Sequence, residues 1–218
     1  MFAKARCRYN GLFDFLLRID MITQSFSGVD YKEIVWNDGG SSTTELVRFP
    51  FEAESNAPFL WAMNLTHRES KGEFGKFAGY ERFILQLSGK TITLQHAQHG
   101  DFKLTPLVPY SFRGEWPTRR GLIGKAEDLN VLVRSERLAT KIERVDLKDR
   151  KPFSKNLSRY TIIWVYQGSI EWECSGEKKV VNERETLVVD SADELEYILK
   201  AKRALCFVIN ISEKVKPV

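Results

Sequence analysis

Hydrophobic residues along this chain recur in short runs that alternate with polar ones, and no run keeps a helical period over a convincing length. Stretches 59–67 (FLWAMNLTH), 82–95 (RFILQLSGKTITLQ) and 129–135 (LNVLVRS) have strand composition. So do 160–176 (YTIIWVYQGSIEWECSG), 185–191 (ETLVVDS), 195–201 (LEYILKA) and 204–212 (ALCFVINIS). Turn signals separate them at about ten-residue spacing, which predicts an all-β sandwich or barrel. Two segments look alike: ILQLSGKTITL around Gly89 and IWVYQGSIEWE around Gly168. Each sets an apolar strand, a polar residue and a glycine ahead of an alternating strand, so each reads as a hairpin whose glycine makes the turn. The similarity points to an internal duplication. The stretch DLKDRKPFSKNLS (146–158) then reads as a solvated link between the copies.

Composition leaves this picture standing. A chain of 218 residues suffices for one large domain or two small ones packed together. Hydrophobic residues make up 43% and charged residues 28%, an ordinary globular balance. The net charge of +4 comes without a long basic block, which argues against nucleic acid as a partner and is compatible with an anionic small ligand. No apolar run approaches the roughly 20 residues of a membrane helix. Cys7, Cys174 and Cys206 are odd in number and widely spaced, with no C-x-x-C pair. Reduced thiols in a cytoplasmic protein are the simpler reading than a disulfide framework. Residues 1–20 carry four basic residues and an apolar patch broken by Asp14, which does not fit a signal peptide. They are expected to be an extension, with Met21 as a natural start.

Three polar segments carry candidate chemistry. In WNDGGSSTTE (36–45), Thr43 and Glu45 are two apart and share one side of an extended segment, where a hydroxyl and a carboxylate can grip a ligand's polar groups. The bland alternative is a loop entering an edge strand with Glu45 in water. GEFGKFAGYER (72–82) interleaves glycines with aromatics, so Phe74 and Phe77 are expected to anchor a loop against the barrel. Its last residue, Arg82, can hold a carboxylate by two parallel hydrogen bonds, or form an ion pair with Glu81, Glu45 or another acid. In DLNVLVR (128–134), Leu129, Val131 and Val133 share one face; Asp128, Asn130 and Arg134 share the other. That polar face is either solvated or lines a barrel interior. The three histidines, His67, His96 and His99, do not make a metal set, and the HAQH pair reads as turn histidines in solvent. No nucleophile elbow, dinucleotide fingerprint or P-loop occurs.

Together these segments resemble the HutD/Ves family, bacterial proteins of the cupin class. The family's opening tryptophan, Asn-Gly-Gly-type loop and Thr-x-Glu correspond to Trp36, Asp38-Gly39-Gly40, Thr43 and Glu45. FLW (59–61), GEFGKFAGYER, LTPLVPYSF (104–112), GEW (114–116) and DLNVLVR follow in the family's order. The chain departs from the pattern at Asp38, Ser41, Ala78 and Ala62, the last standing where an arginine follows the strand tryptophan. The resemblance implies two stacked cupin barrels of the RmlC-like jelly-roll type, a bicupin of double-stranded β-helices without metal ligands. Residues 21–145 would form the first barrel and 146–218 the second. It also implies a link to histidine utilisation, with urocanate or formylglutamate as ligand, or to stress response.

The expectation is therefore a metal-independent, cofactor-free binding protein for a small anionic metabolite. Arg82 and Arg134 would hold carboxylate oxygens, Thr43, Glu45 and Asn130 would read polar groups, and Trp61 and Tyr80 would supply apolar walls. Two rivals stand beside it. One is a metal-free cupin enzyme of isomerase or lyase type with Glu45 as general base. The other is a protein-interaction module, which a large exposed apolar patch would favour. The oligomeric state is left open.

Overall fold

The computed structural model describes residues 21–35, 42–51, 58–69, 71–121 and 124–214. Residues 1–20, with Cys7, and residues 36–41, with Trp36 and the glycine pair, lie outside the described residues. Everything described is strand, turn or irregular chain, so the all-β expectation holds.

The first run of strands is β1 (Met21–Phe26), β2 (Lys32–Val35), β3 (Ser42–Phe49), β4 (Trp61–Arg68), β5 (Gly72–Glu73) and β6 (Tyr80–Gly89). Next come β7 (Thr93–His96), β8 (Gly100–Lys103), β9 (Tyr110–Arg113), β10 (Thr118–Gly121) and β11 (Ala126–Arg134). The remainder is β12 (Leu138–Lys148), β13 (Phe153–Asn156), β14 (Tyr160–Cys174), β15 (Glu177–Asn182), β16 (Thr186–Ser191), β17 (Glu196–Lys200) and β18 (Arg203–Glu213). A six-stranded sheet runs β2-β3-β4-β11-β6-β9 and faces a four-stranded sheet β5-β10-β7-β8. The third sheet is built around β14. It takes in β1, which pairs with β16, and β12, which pairs with β18 along its whole length. The sequence segment 21–26 thus completes the later sheet, and the chain crosses between halves after β1 and again at the turn after β11. Part of the expected link is strand: residues 146–148 end β12, and β13 pairs with β17. The charged residues of β12 hide its strand character because much of that strand is only half-buried.

Alternation decides where the cores sit. Leu129, Val131 and Val133 share a face with Trp61, Met63, Leu65, Phe83 and Leu85. That face packs against Ile162, Trp164, Val188, Phe207 and Ile209 of the later sheet, making one apolar core between the halves. The odd-numbered neighbours Ile163 and Val165 turn instead into a second core with Trp172, Leu187, Tyr197, Leu199 and Cys206. Strand β14 is consequently apolar on both faces, as a strand buried on both sides must be. A third, smaller core of Phe74, Ile84, Ile92, Leu94, Leu104 and Phe112 lies between the six- and four-stranded sheets. There it meets the polar residues described below.

Gly89 and Gly168 correspond, though neither closes a tight hairpin. Gly89 ends β6, after which the chain joins the four-stranded sheet; Gly168 lies inside β14, where pairing passes from β16 and β18 to β15 and β17. Both have positive φ, 88° and 81°. Gly89 sits opposite Ala126 and Gly168 opposite Ala204, each close to a β-bulge. They are corner glycines, and the partner backbone comes too close for a side chain: a Cβ on Gly168 would sit 2.6 Å from the Arg203 carbonyl oxygen.

Gly176 and Gly100 share the positive φ but have nothing within 4 Å of an added Cβ. Gly168→Ala is therefore expected to lose clearly more unfolding free energy than the roughly 1–2 kcal/mol of the left-handed conformation alone, whereas Gly176→Ala should stay within it. Urea titration of the two variants checks the difference.

Candidate functional site

Cross-strand register on the inward face of the six-stranded sheet builds a polar floor in three rows. Arg48, Ala62, Leu132, Arg82 and Phe112 lie side by side in one. Glu45, Asn64, Asn130, Ile84 and Tyr110 make the next, and Thr43, Thr66, Asp128 and Gln86 the third. A bulge between Glu45 and Val47 is what lets both Glu45 and Arg48 face inward. Gln86 serves the fold: its amide donates to the Lys90 carbonyl and accepts from Ile92 N, tying down the corner after β6. From the opposite sheet, β10 sends Thr118 and Arg120 inward and Arg119 outward.

Phe74 is the hub of this interior. The guanidinium carbons of Arg82, Arg120 and Arg68 lie 4.8, 5.0 and 5.7 Å from its ring centroid. Such contacts are favourable when desolvated. Arg120 is 1% exposed and donates to Asp128, which is fully buried and also accepts from the Asn130 amide. That carboxylate and Arg120 compensate each other. Among the described residues Arg82 has no such partner: it is 7% exposed, also lies over Phe77, and donates a long bond to the Gly75 carbonyl. Among the described residues no carboxylate makes an ion pair with it. Burial pushes its pKa down to about 10; Asp128 opposes the shift, while Arg68 and Arg120 add to it. Arg82 Nε, Arg120 Nε and the Asn130 side-chain oxygen are buried without a hydrogen-bond partner. Unpaired buried donors and an uncompensated buried charge are both costly, and an anion among them would relieve both.

Of the residues expected to form a pocket, Thr43, Glu45, Arg82 and Asn130 do share this inward face. Glu45 is partly exposed and 3.8 Å from Arg48 Nε. Tyr80 and Arg134 meet at the end of the same face, where Arg134 lies over the Tyr80 ring and donates to its hydroxyl, which donates to the Phe59 carbonyl. Trp61 is corrected: it is fully buried on the opposite face, stacked on Phe49 and tilted against Tyr160 in the core between the halves. Strand alternation forces this, because Ala62 and Asn64 take the inward positions. The alternative of an ion pair between Arg82 and Glu81, Glu45 or another acid is not found among the described residues.

Sequence reasoning passed over Arg48, Arg68, Arg120 and Asp128 as site residues. Arg48 is hidden by the bulge, and Arg120 by the shortness of β10. Ala62, where the resemblance would put an arginine, is the cross-strand neighbour of Arg48, so positive charge enters the interior from the adjacent strand. The loop with Phe74 and Phe77 does anchor as expected.

His96 is also corrected. It is 4% exposed, not a solvent residue, and lies among Phe112, Tyr110 and Trp116. The Thr118 hydroxyl donates to the Trp116 carbonyl, so it accepts from His96 Nδ1, and Tyr110 donates to Nε2. The imidazole is thereby satisfied as the neutral form. His99 is exposed and stacks on Trp116. Among the described residues no group of three His, Cys, Asp or Glu side chains could hold a metal ion, and no helix is long and apolar enough to cross a membrane.

The HutD family model matches residues 28–207, which spans both halves. The chain belongs to the HutD family. An uncharacterized 21.2 kDa protein in the hutC 3' region of Pseudomonas putida is 30% identical over 118 residues, covering 54% of this chain and 61% of that one. This HutD-family chain therefore spans less than two thirds of that relative's length. Protein Ves of Escherichia fergusonii is 25% identical over 81% of this chain and 88% of its own. Among solved structures, HutD from Pseudomonas fluorescens SBW25 superposes with a TM-score of 0.72 at 24% identity, over 89% of this chain and all of that one. A cupin 2 conserved barrel domain protein from Leptotrichia buccalis gives 0.52 at 8% identity, over 84% and 96%. These likenesses establish the cupin-type jelly-roll fold.

Two outcomes follow from the charges and the histidine. Asp128→Asn leaves Arg120 without its carboxylate and should cost about 3–5 kcal/mol of unfolding free energy, part of it recovered by added sulfate in a melting experiment. Burial, reinforced by His99 and opposed by Asp101, holds His96 below its ordinary value of 6.5. The unfolded chain then binds a proton the folded one does not, so this contribution is complete above about 6.5 and fades as the pH falls through that value. His96→Gln should flatten that acid limb in urea titrations across the range.

Proposed function

We propose that the protein is a metal-independent, cupin-type binding protein for a small carboxylate-bearing metabolite, held in the interior between the six- and four-stranded sheets. The observation that carries this reading is Arg82, a buried guanidinium backed by Phe74 and Phe77 with no ion-pair partner among the described residues. A ligand carboxylate would take its free edge by charge-assisted hydrogen bonds. Arg120 and Arg68, which also lie over Phe74, add positive field. Asn130, whose side-chain oxygen lacks a donor, would accept from an amide or hydroxyl of the same ligand, and Thr43 and Glu45 would read its polar end. Tyr80 and Arg134 close the end of the interior face.

The relative's name, which refers to the hutC 3' region, supports a place in histidine utilisation, and with it formylglutamate or urocanate as ligand. A sensing or regulatory role in the cytoplasm fits a binding site of this kind. Formylglutamate carries two carboxylates and an amide, so it suits a floor that offers guanidinium groups and an acceptor better than urocanate does.

Calorimetric titration of the folded protein with each compound is the test. Formylglutamate should bind more tightly than urocanate, and Arg82→Met should weaken binding at least about thirtyfold, the loss of one desolvated charge pair. No heat with either compound, or unchanged affinity in Arg82→Met, contradicts the reading.

A further inference from the structure

Beside the inward-facing Asp128 on β11 stands Glu127, which faces the other way, toward the second half. Its side chain is 9% exposed, and Arg184, on the turn between β15 and β16, grips it with two parallel hydrogen bonds of 2.8 and 3.1 Å. Arg184 itself is held at several points. Its guanidinium lies 5.5 Å from the Trp164 ring centroid and 5.3 Å from that of Tyr166. Its amide donates to Val165, its carbonyl accepts from the Tyr31 hydroxyl, and its backbone holds φ at 66°. So many constraints on one half-exposed arginine exceed what an ordinary surface ion pair needs.

The same carboxylate borders a cavity of about 340 Å³ at the end of the six-stranded sheet, lined also by His67, Arg68, Ser88 and Lys125. Lys125 is engaged with Glu69, and His67 Nε2 is 3.6 Å from Glu127. Arg68 belongs to both places: it lines this cavity, yet its guanidinium lies over Phe74 in the interior. Glycine at position 72 leaves the room it occupies, since a Cβ there would be 3.3 Å from Arg68 Nη1.

We propose that Arg184 is a positioning residue for the anion site: by neutralising Glu127 it keeps that carboxylate from drawing Arg68 out of the Phe74 cluster. This rests on the binding reading above but makes a separate claim about where Arg68 sits. The physical asymmetry is exposure. Loss of Arg184 strands a buried carboxylate, which must find another cation. Loss of Glu127 strands only a guanidinium that is 42% exposed and can be hydrated. The second half therefore governs the charge geometry of the first without touching the ligand.

The experiment compares Arg184→Met, Glu127→Gln and the double variant by two readouts. The first is the Arg68 Nε–H resonance, assigned with Arg68→Lys and shifted by the Phe74 ring current. It should move in Arg184→Met and return in both Glu127→Gln and the double variant. The second is formylglutamate affinity, expected to fall about tenfold in Arg184→Met and to return within about threefold in the double variant. A merely structural role would leave the double variant no better than the single. An unmoved Arg68 signal in Arg184→Met, a displaced one in Glu127→Gln, or no recovery in the double variant overturns the proposal. Should Arg184→Met fail to fold, Arg184→Gln takes its place in the same comparison, since it also removes the charge and leaves Glu127. If the wild type binds no carboxylate, the binding reading fails while the resonance still judges this one.

Discussion

Arg82 is a positive charge enclosed between two sheets against the rings of Phe74 and Phe77, and Asp128, the buried carboxylate at the centre of that space, is already taken by Arg120. Everything else about the first half can be ordered around that imbalance. The inward rows carry Asn130, Thr66, Thr43 and Glu45, where a purely structural barrel would carry aliphatic residues. Desolvating a guanidinium costs free energy, and the aromatic faces offset only part of it. An arrangement with this cost is understandable when a ligand supplies the missing counter-charge.

The second half shows what the same architecture looks like without that demand. Its interior is filled by Ile163, Val165, Trp172, Leu187 and Leu199. Its thiols are inert by environment: burial pushes the Cys206 thiol up to about 12, and Cys174 is raised as well. The two halves share a broad apolar core through Trp61, Trp164 and Phe207. The Arg184–Glu127 pair sits at that junction, one residue from the buried carboxylate of the arginine cluster.

Much of this was legible in the sequence, and the reasons are local. Strict alternation in DLNVLVR separates the shared core from the polar floor, and the aromatic-glycine loop 72–82 announces a segment packed against a barrel with an arginine at its exit. What stayed hidden required knowledge of register. A one-residue shift put Trp61 on the wrong face, a bulge concealed Arg48, and Arg120 on its four-residue strand carried no periodicity to read. His96 looked like a turn residue, but Thr118 and Tyr110, distant in sequence, complete its hydrogen bonds and let it be buried. The corner at Gly168 and the borrowing of β1 by the later sheet are tertiary facts, set by which strands meet and not by any one segment.

Anomalous diffraction from crystals soaked in selenate addresses the central imbalance most directly. The account predicts a selenium peak inside the first half, within hydrogen-bonding reach of the Arg82 guanidinium and beside Phe74, that disappears in Arg82→Met crystals. Selenate confined to the outer surface, with Arg82 unaltered and the interior unoccupied at saturating concentration, would contradict it.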